Sequence, residues 1–336
     1  MTDTMKRIVL AERPKGFPTD ANFRLEEAAV PTPGEGEVVV AVKYMSLDPY
    51  MRGRMDDGPS YAAPVPVGGT MEAGAVGEVI ASNDPKFKPG DHAFGMFGWA
   101  THGVAAAKGL RKVNPDDAPI QTSLGVLGMP GMTAYAGLLE VGELKDGDNV
   151  VVSAASGAVG AVVGQIAKIK GCHVVGLTGS DEKCQWITRE LGFDAAINYK
   201  TENVAEALAK TCPNGIDVYF DNVGGKILDE CLKQMNLHGR IPTCGLISQY
   251  NATEPVPGPY NYDLILMHRL KIQGFIILDY MDRYPEATEA LIGWMKEGRL
   301  KARLDVSEGL ETALQAVKKL YTGENTGKLM VRVKDV

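Results

Sequence analysis

An α/β protein, with a doubly wound parallel sheet joined to a smaller β-rich domain, is what three features of this 336-residue sequence predict. A strand–helix–strand stretch runs from Asn149 to Lys183. From there to about residue 300, short apolar runs alternate with helical segments, the pattern of a parallel sheet covered on both faces. The first 125 residues instead carry short β-prone runs at close spacing, broken by proline and glycine. The length exceeds what one compact core usually organises, so two domains are expected: 1–127 together with about 302–336, and 128–301.

The central stretch opens with Val150, Val151 and Val152, turns through Ala154-Ala155-Ser156-Gly157, and continues as a helix. Val159, Val162, Val163, Ile166 and Ile169 then share one helical face, and His173 to Leu177 follow as a second strand. Ala155 to Gly160 form a variant of the dinucleotide fingerprint with alanine at its first glycine. In a Rossmann domain Gly157 would admit a pyrophosphate close to the backbone, and Gly160 would let helix and strand pack tightly. The first helical N–H groups and the helix dipole would hold the phosphates.

The end of the second strand selects the nucleotide. An acid there would accept from the adenine ribose 2′-hydroxyl. This strand ends Thr178, Gly179, Ser180, and no acid precedes Asp181. Small and hydroxyl residues leave room for a 2′-phosphate, and Lys183 can neutralise one, which points to NADP(H). A solvated Lys183, with Asp181 as a first-turn acid, is the structural alternative.

Composition narrows the partners. Hydrophobic residues make up 45% and charged residues 23%, an ordinary globular balance. A net charge of −7 disfavours nucleic acid and acidic membrane surfaces. The longest weakly polar run, Val150 to Ala167, is broken by glycines and already belongs to the fold, so no membrane span is expected. The N-terminal stretch lacks the basic-plus-apolar pattern of a secretory signal. Cys172, Cys184, Cys212, Cys231 and Cys244 are scattered and odd in number, as suits reduced thiols in a cytoplasmic protein. They form no C-x-x-C pair, and only His92 and His102 lie in the first 172 residues. No metal site is expected from such spacing.

Within the β-rich part, the runs Arg7–Leu10, Val38–Val42, Gly77–Ala81 and His92–Met96 suggest a partly open barrel or sandwich. Ser46 to Met55, followed by Pro59-Ser60-Tyr61, read either as a binding loop on a rigid scaffold or as a packed Ω-type loop. In the second part, strands are expected at Ala195–Tyr199, Asp217–Asn222, Arg240–Cys244 and Lys271–Ile277, and helices at Val204–Thr211 and Lys226–Asn236. Three strand ends then share one crevice: 221–225, 244–250 and 275–278. A helix from Pro285 to Glu297, an amphipathic helix from Leu310 to Leu320 and a strand, Leu329–Val333, complete the chain. That closing strand suggests a return to the first domain.

The runs at 47–55, 124–135, 154–172, 179–183, 220–225, 244–251 and 323–328 together resemble the zinc-free branch of the medium-chain dehydrogenases/reductases. That branch includes NADPH-dependent curcumin reductases, prostaglandin reductases and plant 2-alkenal reductases, with the bacterial curcumin-reductase type nearest. The resemblance implies a GroES-like substrate domain, a Rossmann domain, a homodimer, NADP(H), and reduction of a C=C bond conjugated to a carbonyl in an enone or enal. By matching motif it places Ala158, Val159 and Gly160 at the pyrophosphate and Lys183 and Tyr199 at the 2′-phosphate. Asn222, Cys244, Gly245, Ile247, Ser248, Tyr250, Phe275, Ile276, Ile277 and Asn325 would line the rest of the cofactor. Some relatives carry a tyrosine, proposed to steady the enolate, where this chain has Met267, which cannot donate a proton. The candidate donors to a developing oxyanion are therefore Tyr250, then Tyr61 or Tyr50. An NADPH quinone oxidoreductase and a non-catalytic NADPH-binding protein are the competing readings.

Overall fold

The computed structural model describes residues 4–333, which divide into two compact units. Residues 4–124, 304–325 and 329–333 belong to the first, and residues 125–303 and 326–328 to the second.

The first unit opens with an antiparallel ribbon of β1 (Thr4–Leu10) and β2 (Phe23–Ala29). Next come β3 (Glu37–Ser46), the short helix α1 (Met51–Arg54), β4 (Gly74–Ser82), β5 (His92–Met96), β6 (His102–Ala106) and β7 (Arg111–Val113). The organising strand is β3. It pairs with β4 along most of its length, with β6 through residues 37–41, and with residues 330–332 through its far end. Its run Val38, Val39, Val40 is wholly buried, as a strand covered on both faces requires.

The second unit starts with α2 (Met129–Ala136), continued by a π-type turn at Gly137–Val141. The alternation that follows is β8 (Asn149–Val152), α3 (Gly160–Ile169), β9 (His173–Thr178), α4 (Asp181–Arg189), β10 (Ala195–Asn198) and α5 (Val204–Thr211). Then come β11 (Ile216–Phe220), α6 (Gly225–Leu232), β12 (Met235–Thr243), α7 (Asp263–Met267), β13 (Lys271–Gly274) and α8 (Tyr284–Lys296). All pairings in this sheet are parallel, and its order is β10-β9-β8-β11-β12-β13. The winding direction reverses between β8 and β11, the place where sheets of this kind bind ligands. Val151, Val175, Leu177, Ile197, Leu208, Tyr219 and Ile241 form the core on one side.

The last segment returns to the first unit through β14 (Leu304–Glu308), α9 (Ala313–Thr322) and β15 (Lys328–Arg332). β15 lies between β14 and β3, and Val317, Leu329 and Val331 enter the same core as Val40, Met45 and Trp99.

Several expected boundaries move: the strand expected from Arg240 already starts at Met235, and the one expected to reach Asn222 ends at Phe220. The helix expected to reach Asn236 stops at Leu232, because Met235 pairs with Ile216 and starts β12. Met235 continues the apolar spacing of α6, so periodicity alone could not separate helix from strand here. The strand expected to reach Ile277 ends at Gly274, where pairing with β12 runs out, and a 3₁₀ segment begins at Ile277.

Candidate functional site

At the switch point, β8 leads into a tight turn in which Ala154 takes a left-handed conformation, φ 49°. Its carbonyl accepts the Gly157 N–H at 2.9 Å. A Cβ at Gly160 would stand 2.5 Å from that carbonyl oxygen and 2.9 Å from Ala155 Cα. Only glycine lets the start of α3 press this closely on the turn. Among the described residues, the N–H groups of Ala158, Val159 and Gly160 donate to no protein acceptor, whereas those of Ala161, Val162 and Val163 are already used. Three such donors at the positive end of a ten-residue helix are the groups from which an anion cradle can be built. Gly157 also forms a parallel bridge with Gly327, so residues 326–328 lie against the fingerprint turn. Asn325, directly before them, is half-buried and belongs to the first unit.

Past the end of β9, no acid precedes Asp181, and that exposed carboxylate has one oxygen engaged by β10. Asp181 Oδ1 accepts from Asn198 Nδ2 at 2.7 Å, which turns this carboxylate toward β10. Ser180 caps α4, accepting the Lys183 N–H at 3.3 Å, and the Thr178 hydroxyl donates to the Ser180 carbonyl at 3.3 Å. Lys183 is only 7% exposed, so it is not a solvated helix residue. Tyr199 is half-buried, and its hydroxyl lies 2.9 Å from where a Cβ on Gly179 would sit. A side chain at position 179 would displace that ring. Burial holds the Tyr199 phenol above its ordinary pKa.

Beyond β11, Asn222 is tied to the end of β8. Its backbone N–H donates to Ser153 Oγ at 2.9 Å, and its amide Nδ2 donates to the Ser153 carbonyl at 2.8 Å. The loop after β12 leans on the same turn: Ile247 N–H donates to the Asn222 carbonyl, and Ser248 donates to the Val223 carbonyl through both its N–H and its hydroxyl. Tyr250 folds back so that its hydroxyl accepts the Leu246 N–H at 3.2 Å. The same oxygen lies 3.1 Å from where a Cβ on Gly245 would stand. The Cys244 thiol is pushed up to about 12 by burial and by Asp221, which keeps it protonated at neutral pH. Phe275 and Ile277 are buried. The Phe275 ring packs edge-on between Phe220 and Tyr280, and Ile276 between them is only half-buried.

Tyr50 and Tyr61 stand in the first unit, around Arg54. That guanidinium is 2% exposed, with its central carbon 4.5 Å from the Tyr61 ring centroid and 5.7 Å from that of Tyr50. Arg54 Nη1 also donates to Ser60 Oγ and to the Ala62 carbonyl, fastening the loop from inside. Met51 and Met55 are fully buried beneath it. The segment is thus packed about a cation, and Tyr61 remains exposed. Burial, followed by the charges of Asp48 and Glu72, drives the Tyr50 phenol far above its ordinary pKa. Met267 ends α7 and is exposed.

Sequence reasoning missed Ser153 and Arg54. A serine closing the strand at the switch point was the only signal for the first, and nothing local announces the second.

A doubly wound sheet joined to a separate β-rich unit, with open N–H donors at its switch point, is the architecture of the medium-chain dehydrogenases/reductases, and the family models match it. Residues 6–113 match the family model described as the N-terminal domain of oxidoreductase, and residues 158–296 match that of zinc-binding dehydrogenase. The chain is 49% identical to the NADPH-dependent curcumin reductase of Escherichia coli (strain K12), covering 98% of this chain and 96% of that one. It is 42% identical to the 2-alkenal reductase (NADP(+)-dependent) of Nicotiana tabacum, covering 98% and 97%. The crystal structure of CurA in complex with NADPH from Vibrio vulnificus superimposes with a TM-score of 0.94 at 45% identity, covering 98% and 100%. The chain belongs to the zinc-independent curcumin reductase and 2-alkenal reductase family. Among the described residues, no three His, Cys, Asp or Glu side chains gather to hold a metal ion.

Replacing Gly160 with alanine tests the cradle. The added methyl would push α3 off the turn and lower stability by about 1–3 kcal/mol. Urea denaturation reads this, and an unchanged midpoint would show that the helix start is not confined.

Proposed function

We propose that this chain reduces the C=C bond of α,β-unsaturated aldehydes and ketones with NADPH. The observation that carries the reading is the occurrence of three unused N–H donors leading into α3 together with the buried Lys183 at the start of α4. Relatives named for NADPH-dependent reduction of curcumin and of 2-alkenals support the substrate class.

The residues fit the cofactor. Ala158, Val159 and Gly160 would hold its pyrophosphate. Lys183, with Tyr199 and the small residues Thr178, Gly179 and Ser180, would take the 2′-phosphate. Asn222, Cys244, Gly245, Ile247, Ser248, Ile276 and Asn325 would line the remainder, with Phe275 and Ile277 setting the backbone from inside the core. NADPH supplies a hydride, which an enone accepts at its β-carbon.

The chain's own task is to stabilise charge on the substrate carbonyl oxygen. One well-placed donor contributes about 2.7–4 kcal/mol to such a step. Tyr250 is the first candidate, because accepting the Leu246 N–H polarises its hydroxyl and strengthens it as a donor. Tyr61 follows, exposed and held by Arg54, and then the more buried Tyr50. Met267 supplies no proton, so the α-carbon takes its proton from water.

We further place the protein in the cytoplasm as a homodimer, with no nucleic acid or membrane partner. Its cysteines are free thiols, and no helix among the described residues is long and apolar enough to cross a membrane. β13 is an edge strand with Lys271 and Ile272 exposed, and Tyr260, Tyr262 and Leu266 in the preceding segment are exposed too. Unpaired edges of this kind favour strand pairing between copies. Sedimentation at micromolar concentration should give twice the chain mass, and a single-chain mass removes the dimer.

NADPH oxidation across a panel of enals, enones and naphthoquinones tests the reaction. Turnover confined to quinones would replace the enone reading with a quinone reductase, and no turnover at all would leave only a nucleotide-binding role. Lys183→Met should raise the Kd for NADPH by at least tenfold, the order expected for losing a charge-assisted contact, and barely alter that for NADH. Equal losses for both nucleotides would remove Lys183 from the 2′-phosphate. Tyr250→Phe should preserve NADPH affinity and lower kcat by roughly a hundredfold, and an unchanged kcat on several enones would eliminate Tyr250 as donor.

A further inference from the structure

Asp221 closes β11 at the switch point, and its side chain has no exposure to solvent. Its Oδ1 accepts from Val223 N–H at 2.9 Å, Gly224 N–H at 2.8 Å and the Tyr219 hydroxyl at 2.8 Å, with Ser153 Oγ at 3.4 Å. Its backbone carbonyl accepts from Cys244 N–H at 2.8 Å and Gly245 N–H at 3.1 Å. Its backbone N–H donates to the Pro242 carbonyl. One residue therefore holds the first turn of the 222–225 loop with its side chain and the first turn of the 244–250 loop with its main chain. Gly224 follows with φ 69°, a conformation that the carboxylate fastens in place through the Gly224 N–H.

The remaining oxygen, Oδ2, is buried with no hydrogen-bond partner. Leaving such an atom unsatisfied is costly in a folded chain, and each orphan calls for an explanation beyond packing. Burial raises the pKa of this carboxyl, while the donors on Oδ1 counter the rise. An apolar residue of similar size would avoid the orphan, yet it would also strand the Val223 and Gly224 N–H groups.

We propose that Asp221 is a positioning residue that sets the two loops relative to one another and thereby governs affinity for the nicotinamide cofactor. The proposal rests on the NADPH reading of the site. Without its carboxylate, the Val223 and Gly224 N–H groups lose their acceptor, and the 222–225 loop keeps only the Asn222–Ser153 bonds and those from Ile247 and Ser248, so its register with the 244–250 loop loosens.

Four variants test it, with NADPH Kd measured directly by calorimetry, KM values for NADPH and for an enone, and thermal midpoints. Asp221→Val replaces the carboxylate with an apolar side chain and should raise the NADPH Kd about tenfold or more through its two stranded donors. The enone KM at saturating NADPH should change far less. Asp221→Asn keeps an oxygen for the Val223 and Gly224 N–H groups and should restore affinity to near the wild-type value. Tyr219→Phe removes one bond to the same carboxylate without touching either loop, so it should lower the thermal midpoint and leave Kd unchanged. Asp221→Ala serves if the valine variant does not fold. A folded Asp221→Val or Asp221→Ala protein with wild-type NADPH affinity overturns the proposal. So does a Tyr219→Phe protein that loses as much affinity as either, because the carboxylate would then act only by supporting the core. Failure of both variants to fold likewise overturns it, by making the residue a determinant of the fold. A wild-type chain that binds NADPH but reduces no enone would sink the proposed reaction and leave the Asp221 result standing. One that binds no NADPH would sink both.

Discussion

The bonds between Ser153 and Asn222 are the constraint on which the site depends. A parallel sheet that reverses its winding leaves two neighbouring strands whose chains depart to opposite faces, and their ends tend to splay. Here the β8 end accepts twice from the residue that follows β11, through the Ser153 hydroxyl and carbonyl. That keeps the anion-binding turn and the Asn222 loop in register. The loop after β12 then attaches to the Asn222 and Val223 carbonyls, so three strand ends share one polar framework built mostly from main-chain groups. Such a framework is rigid because most of its members are satisfied within the protein, which is what preorganised binding requires.

In the proposed cofactor site, charge selection would follow from what is absent at the β9 end as much as from what is present. Asp181 accepts from Asn198 through one oxygen, and Ser180 caps α4. One oxygen of the acid nearest this turn is thus engaged on β10, while a lysine is held within the protein near the same turn. Desolvation makes a cation more discriminating, since its interaction with a phosphate is screened less than at the surface.

The features legible beforehand are those with short-range signatures. Three consecutive valines before a glycine turn announce a buried parallel strand, and α5 was placed from Val204 to Thr211 because its apolar face repeats cleanly. The fingerprint was readable despite the alanine in its first position, because Gly157 and Gly160 kept their spacing. Long-range contacts were not. Ser153 meets Asn222 across 69 positions of chain, and no local pattern encodes that partnership. Arg54 lies in a run that reads equally as a binding loop or a packed Ω-type loop, and nothing local shows that Tyr50, Tyr61, Ser60 and Ala62 enclose it. In the 275–277 run every residue is apolar, so alternation could not say which side chains turn inward. The strand boundary at Met235 was hidden for the related reason that one apolar residue suits both a helix face and a strand.

The insertion of β15 between β14 and β3 bears on how the chain comes off the ribosome. Residues 44–46 of β3 have their edge partner some 285 positions later, at 330–332. Until the last few dozen residues emerge, that strand presents open amide groups and the buried faces of Met45 and Leu47 lack Leu329 and Val331. Contacts of such high sequence separation slow folding and leave sheet edges vulnerable to wrong pairing while they wait. The second unit, whose residues are nearly contiguous, has no such dependence on the chain end, apart from the 326–328 segment that settles beside Gly157. The nucleotide-binding half can therefore complete its own sheet before the chain end is available.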